Sequence, residues 1–128
     1  MPNKIIYLTT CNRVIRDQYS TLNSFVDVFS IIWIPKDMPF VINSFWVVGK
    51  IFTEGGAMTG EARIEFPDKT VSDPIVVTGD LKSGDADFAC LFPFMKFSQM
   101  GRYYLRLKIG NEEIHTGNLY YFDVSKKP

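Results

Sequence analysis

Residues 102–109 alternate along their whole length between core-forming side chains and polar ones, and this pattern strongly limits how the chain can fold. One side of the segment carries Tyr103, Leu105, Leu107 and Ile109, and the other carries Arg102, Tyr104, Arg106 and Lys108. Successive side chains of a β-strand point to opposite faces of the sheet. The segment is therefore predicted to be an antiparallel strand with one buried face and one face in water.

Two other segments alternate in the same way. Residues 61–66 place Ala62, Ile64 and Phe66 on one face. In residues 85–92 the inner phase holds Ala86, Phe88, Cys90 and Phe92, and the outer phase holds Asp85, Asp87, Ala89 and Leu91. Cys90 is thus in phase with aromatic residues of the predicted core.

The segment 22–34 is apolar in both phases, since Val28 and Ile32 share one phase while Phe29 and Trp33 share the other. Such a strand is either buried on both faces or contains a bulge that changes its phase midway. Pro74 interrupts the segment 70–78, which predicts an edge strand or a broken strand there.

Turn-forming residues separate these segments at short intervals, and no segment shows a helical period. Loops or turns are predicted at 17–21, 35–39, 54–60, 67–69 and 110–113, those at 17–21 and 54–60 being hairpin loops. The pattern predicts an all-β protein, a single antiparallel β-sandwich of the immunoglobulin-like, Greek-key kind with seven to nine strands, with a closed β-barrel as the alternative. We expect one domain over residues 1–124 and a frayed tail at 125–128.

The composition excludes several classes of protein. With 128 residues, 46% of them hydrophobic, and 14 Lys+Arg against 14 Asp+Glu, the chain is not of the disordered type. Binding to nucleic acids or to anionic membranes depends on an excess of basic residues, which this chain lacks. We therefore expect no nucleic-acid partner and no membrane partner.

The apolar run after Lys4 covers only residues 5–8, shorter than the core of a secretory signal. We therefore expect a cytoplasmic protein. Cys11 and Cys90 are too far apart in the sequence for a CxxC motif, and we expect both to be free, buried thiols.

Catalytic chemistry has few candidates. His115 is the single histidine, and the chain has no G-x-S-x-G nucleophile motif. We therefore expect no enzymatic activity and no catalytic residues, and an enzyme built on His115 is the least favoured of the functions considered.

Three acidic residues, Asp80, Asp85 and Asp87, bracket a loop of the kind that gathers Ca²⁺ ligands at the end of a β-sandwich. Lys82 lies between them, and the spacing does not match an EF-hand loop. We expect a solvated loop, with no metal site and no cofactor.

Four basic residues, Arg63, Arg102, Arg106 and Lys108, fall on outward phases together with Tyr104, which superficially suggests a nucleic-acid platform. Glu61 and Glu65 flank Arg63 on the same phase, so that cross-strand ion pairs explain the arrangement more simply.

Two aromatic clusters have the clearest functional content. One comprises Trp33, Phe40, Phe45 and Trp46, and the other lies in 92–97, with Phe94 and Phe97 in a predicted loop. Such loops either fold over the end of the sandwich and seal it, or form a surface for a partner or for sugar stacking.

Residues 11–18 (CNRVIRDQ), followed by a polar turn and an apolar strand, resemble the opening of a family of small bacterial β-sandwich proteins of unknown function. Residues 100–107 (MGRYYLRL) are similar to the P-G-x-Y-x-F-x-L strand that precedes the last strand of immunoglobulin-like modules. The resemblance implies a fold and assigns no catalytic residue.

These patterns lead us to expect a non-catalytic protein that binds a protein partner or assembles with itself, through residues that the sequence does not identify. The alternative is a β-sandwich that binds carbohydrate through Trp33, Trp46 or tyrosines, or Ca²⁺ through the three aspartates.

Overall fold

Every regular element in the described part of the chain is a β-strand. A computed structural model describes residues 3–16, 23–34, 39–42, 44–81, 83–114 and 119–126. Its strands are β1 (Lys4–Arg16), β2 (Asn23–Phe29), β3 (Ile31–Ile34), β4 (Phe40–Ile42), β5 (Phe45–Thr53), β6 (Gly56–Glu65), β7 (Ile75–Leu81), β8 (Gly84–Phe92), β9 (Met95–Phe97), β10 (Gly101–Ile109), β11 (Glu112–Ile114) and β12 (Tyr121–Lys126).

The strands form two larger sheets and a ribbon. Sheet A has the order β2-β1-β5-β8, sheet B has the order β3-β12-β10-β6-β7 with β11 also paired to β10, and β4 pairs with β9. All pairs are antiparallel except β12 with β3, which are parallel. The all-β sandwich predicted from the sequence is confirmed.

The described residues contain twelve strands, more than the seven to nine predicted. The predicted segment 22–34 divides between β2 and β3, and the predicted loop within 92–97 contributes β9. Strand β11 begins inside the turn predicted at 110–113, and β4 follows the loop predicted at 35–39. Strand β12 continues through Lys126, so two residues of the predicted tail belong to sheet B, where they pair with β3.

The pairing shares three strand pairs with the immunoglobulin fold, but among the described strands none lies beyond β8 in sheet A, where strand D of that fold would lie. Pairs β5–β8, β6–β10 and β10–β12 correspond to the B–E, C–F and F–G pairs of that fold. Strand β1 lies between β2 and β5, where an immunoglobulin sheet would pair strands A and B directly. At the β1–β5 contact a Cβ on Gly49 would collide with the carbonyl oxygen of Tyr7 and would lie 2.7 Å from Leu8 Cδ2, so that only glycine fits this position.

The chain crosses from sheet A to sheet B at Ser30. Phe29 pairs with Thr10 in sheet A, whereas Ile31 pairs with Asp123 in sheet B, and the Asp123 amide donates a hydrogen bond of 2.8 Å to the Ser30 carbonyl oxygen. The crossing changes the phase of the segment, because Val28 faces solvent while Ile32 is buried. Residues 22–34 are therefore apolar in both phases because the phase changes midway, at the crossing between the sheets, and not because one strand is buried on both faces.

The loop between β5 and β6 differs from the prediction of a glycine-rich hairpin over 54–60. Residues 56–60 belong to strand β6, and β5 and β6 lie in different sheets, so the connection passes from one sheet to the other. Gly55 and Gly56 make this passage with φ angles of 91° and 102°, a backbone conformation that favours glycine. The edge strand predicted from Pro74 is confirmed, since β7 begins directly after Pro74 and lies at the edge of sheet B.

The core lies between the two sheets and contains the inward residues predicted for β8 and β10. Phe88, Cys90 and Phe92 of β8, and Tyr103, Leu105, Leu107 and Ile109 of β10, are buried. The ribbon adds Phe97, which is 0% exposed and places its ring 5.2 Å from Tyr103 and 5.9 Å from Phe122, both contacts being edge-to-face. The ribbon therefore seals this part of the sandwich.

We predict that Phe97→Ala lowers the free energy of unfolding by about 3–5 kcal/mol, because it removes a fully buried ring and leaves a cavity. Phe94 is a matched control from the same six-residue aromatic stretch, since it is 62% exposed, and Phe94→Ala is expected to change stability by less than about 0.5 kcal/mol. Urea denaturation followed by circular dichroism measures both. Equal losses for the two variants would contradict the buried position of Phe97.

Candidate interaction surface

An apolar row crosses the outer face of sheet A. Val28, Cys11, Trp46 and Leu91 are successive cross-strand neighbours, one from each strand of the sheet. Residues that pair directly across antiparallel strands project to the same face, and the adjacent residues Thr10, Val47 and Cys90 project to the other. We call these four residues the sheet A row; at about 4.8 Å per strand it spans about 14 Å.

The sheet A row is accessible at both ends and packed in the middle. Val28 is 56% exposed and Leu91 is 39% exposed, whereas Cys11 is buried between them. Cys11 does not belong to the cluster of core residues between the sheets, which is consistent with its position on the outer face. Its thiol donates a hydrogen bond of 3.5 Å to the Arg13 carbonyl oxygen.

A second row next to it extends the apolar area. Thr9, Val48 and Ala89 pair across three strands, and Val48 is fully buried although it lies outside the core cluster. Beyond this second row the face becomes charged, with Lys50 opposite Asp87 in the β5–β8 register and the Lys4 ammonium 5.5 Å from the Phe52 ring centroid. On the other side of the sheet A row, Arg13 is exposed. The arrangement is an apolar centre with a charged rim, as in protein interfaces.

The outer face of sheet B is charged, and its cations are paired. Arg102 Nε lies 2.9 Å from Asp123 Oδ1, and Arg106 contacts both Glu65 and Glu113. Glu61 lies 3.9 Å from Arg63 and 3.8 Å from Lys108. The cross-strand ion pairs predicted from the phases of these residues are confirmed.

The two predicted aromatic clusters meet in the ribbon, where Phe40 pairs with Phe97. Phe45 and Phe92 are also buried, and their rings stack with centroids 5.3 Å apart. Most of the aromatic residues therefore seal the sandwich, which is the first of the two alternatives. Phe94 and Trp33, at 62% and 51% exposed, stay in solvent, and Trp46 is half-buried in the sheet A row.

The remaining candidate residues do not form a site in the described part of the chain. His115 lies outside the described residues, as does the side chain of Asp80. Asp85 and Asp87 are exposed on β8. Among the residues that the structure describes, no three histidine, cysteine or acidic side chains come together as a metal site would require, and no helix is long and apolar enough to cross a membrane.

Sequence reasoning did not identify the sheet A row. The outward phase of Leu91 was predicted, but the register that aligns it with Trp46, Cys11 and Val28 depends on pairing between strands distant in sequence. One local signal pointed to this surface. The outward phase of β8 begins with Asp85 and Asp87 but ends with the apolar residues Ala89 and Leu91.

Compared with known proteins, the chain matches no protein-family model, and no curated protein is similar enough in sequence to count as a match.

Both cysteines are free and buried, as predicted. They lie on strands separated by β5, about 10 Å apart across the sheet, which is too far for a disulfide. Burial raises the pKa of the Cys90 thiol to about 12 and also raises the pKa of Cys11, for which the hydrogen bond to Arg13 acts in the opposite direction. Both thiols are therefore held in the protonated form at neutral pH.

We predict that neither thiol of the native protein reacts readily with an aromatic disulfide reagent at pH 8. With its pKa at about 12, Cys90 is a thiolate in about one molecule in ten thousand at that pH, and only the thiolate attacks. The same reaction in 6 M guanidinium chloride, which unfolds the protein, is expected to release two equivalents of chromophore, one for each cysteine. Fast release of one equivalent from the folded protein would contradict the burial of that thiol.

Proposed function

We propose that this chain is a non-catalytic β-sandwich protein that acts by contact, and that its partner is a second copy of itself bound through the outer face of sheet A. The observation that carries the proposal is the sheet A row, in which exposed Val28 and Leu91 flank buried Cys11 and half-buried Trp46 across all four strands. Exposed apolar residues grouped on one face inside a charged rim are typical of an interaction site rather than of ordinary protein surface.

The charge of the chain supports a second copy as the occupant. With a formal net charge of zero, two identical molecules do not repel each other over long range. Arg13 lies at one end of the face and Asp85 and Asp87 at the other, so that the rim carries both signs. A two-fold interface joins the same patch on both molecules, and a patch with a charge of one sign would oppose it.

The size of the face also fits a dimer. Each strand pair of sheet A extends over about 25 Å, and β2 and β5 pair with different halves of β1, so that four strands about 4.8 Å wide present about 500 Å² of staggered sheet surface per copy. Two copies would therefore bury about 1,000 Å², which is close to the lower limit for a specific protein interface. We propose a weak, concentration-dependent dimer on this basis.

The absence of catalysis is part of the proposal. Raised pKa values make both thiols poor nucleophiles, and neither lies in a known catalytic motif. Two buried free thiols also support the proposed location in the cytoplasm, where cysteines stay reduced.

We predict that the wild-type protein forms dimers at high micromolar concentrations and that Leu91→Lys raises the dimer dissociation constant at least about tenfold. The reason is that the substitution places an unpaired charge within the proposed interface, where its desolvation is costly. Sedimentation velocity over a concentration series measures the effect, and Val28→Lys is expected to act in the same direction.

Val76→Lys is the matched control. Val76 is an exposed valine, 53% accessible, and it lies on β7 at the edge of sheet B. This variant is expected to dimerise like the wild type. A monomer at all concentrations, or equal weakening by Val76→Lys and Leu91→Lys, would reject the proposed surface.

A further inference from the structure

An exposed strip on the outer face of sheet B combines an indole with a fixed polar pair. On β3, exposed Ile31 and Trp33 alternate with buried Ile32 and Ile34. On β12 and β10, Tyr121, Asp123 and Arg102 lie on the same outer face, because Ile31 pairs with Asp123 and Asp123 pairs with Arg102. We call Trp33, Ile31, Asp123, Arg102 and Tyr121 the sheet B strip.

The polar pair in the strip is held in place by three contacts. Arg102 donates hydrogen bonds of 2.9 Å from Nε and 3.3 Å from Nη2 to the two carboxylate oxygens of Asp123. The guanidinium carbon lies 3.8 Å from the centroid of the Tyr121 ring, and that ring contacts Tyr104 edge-to-face at 6.3 Å. Arg102 and Asp123 therefore present donors and acceptors in a preorganised arrangement, at a lower entropic cost of binding.

The indole lies one diagonal position from this pair. Trp33 pairs with Ser125, two residues after Asp123 on the parallel strand β12, which places the Trp33 and Asp123 backbone positions about 8 Å apart from about 4.8 Å across the strands and about 6.6 Å along them. A ligand that stacks on Trp33 and reaches Asp123 and Arg102 must therefore span about one or two sugar rings. Ile31, which pairs with Asp123 and is exposed, adds apolar surface on the same face.

From these contacts we propose that the sheet B strip binds an uncharged oligosaccharide, whose apolar ring face stacks on Trp33 and whose hydroxyl groups hydrogen-bond to Asp123 and Arg102. Aromatic side chains with a polar neighbour suit such amphipathic rings. Charge favours this ligand over a nucleic acid, because Arg102 is neutralised by Asp123, and Arg63, Arg106 and Lys108 on the same sheet are also paired with carboxylates. The site lies on the other face of the sandwich from the sheet A row and does not depend on the proposed dimer.

The test uses the full chain with Trp46→Phe, so that Trp33 is the only tryptophan and its fluorescence reports the strip. The probes are neutral hexasaccharides of β-1,4-glucose, β-1,4-xylose and β-1,3-glucose at up to 10 mM, with a twelve-nucleotide oligothymidylate as the charged stacking ligand. We expect a saturable fluorescence change with at least one hexasaccharide. In the wild-type background, Trp33→Ala and Asp123→Asn are each expected to weaken binding at least tenfold in isothermal titration.

Trp33→Phe keeps a stacking ring and is expected to retain more binding than Trp33→Ala, which separates loss of stacking from loss of folding. Phe94→Ala removes an exposed aromatic residue elsewhere and is expected to bind like the wild type. No change with any hexasaccharide, unchanged binding by Trp33→Ala, or binding of the oligothymidylate alone would overturn the proposal. Leu91→Lys is expected to bind the sugar normally, so that failure of the dimer and failure of the sugar site give different results.

Discussion

A set of aromatic contacts joins the two sheets, and the rest of the structure depends on it. Phe45 stacks on Phe92 within sheet A, Tyr103 stacks on Phe122 within sheet B at 5.2 Å, and Phe45 meets Phe122 edge-to-face at 6.0 Å. Phe97 adds the ribbon to the same cluster. Because large rings meet with defined geometry, the contacts set how the two sheets face each other across the core.

Local alternation was sufficient to predict the phase of β8 and β10, since burial on one side is recorded directly in every second residue. It was not sufficient for the position of β1 or for the ribbon. Strand β1 lies between β2 and β5 because of contacts such as Gly49 against Leu8, which join residues about forty positions apart. Strand β9 is three residues long and forms only because its partner is present.

The candidate surfaces illustrate the same limit. The outward position of Leu91 follows from the alternation of β8, but Val28 belongs to a segment whose two apolar phases were equally compatible with burial. Ser30 resolves this, because Val28 projects from sheet A before the crossing and Trp33 projects from sheet B after it. A patch made of residues from four strands can be recognised only when their register is known.

The crossing at Ser30 places the two outer surfaces within six residues of each other in the chain. The connection between β2 and β3 is a single residue, and its length therefore sets which side chains of β3 face the core and which face solvent. An insertion of one residue after Ser30 would shift β3 by one position and exchange its faces. Exposed Ile31 and Trp33 would then turn toward the core, and buried Ile32 and Ile34 would turn toward water. A substitution at an exposed position of this segment leaves its two faces where they are, whereas a change in its length exchanges them.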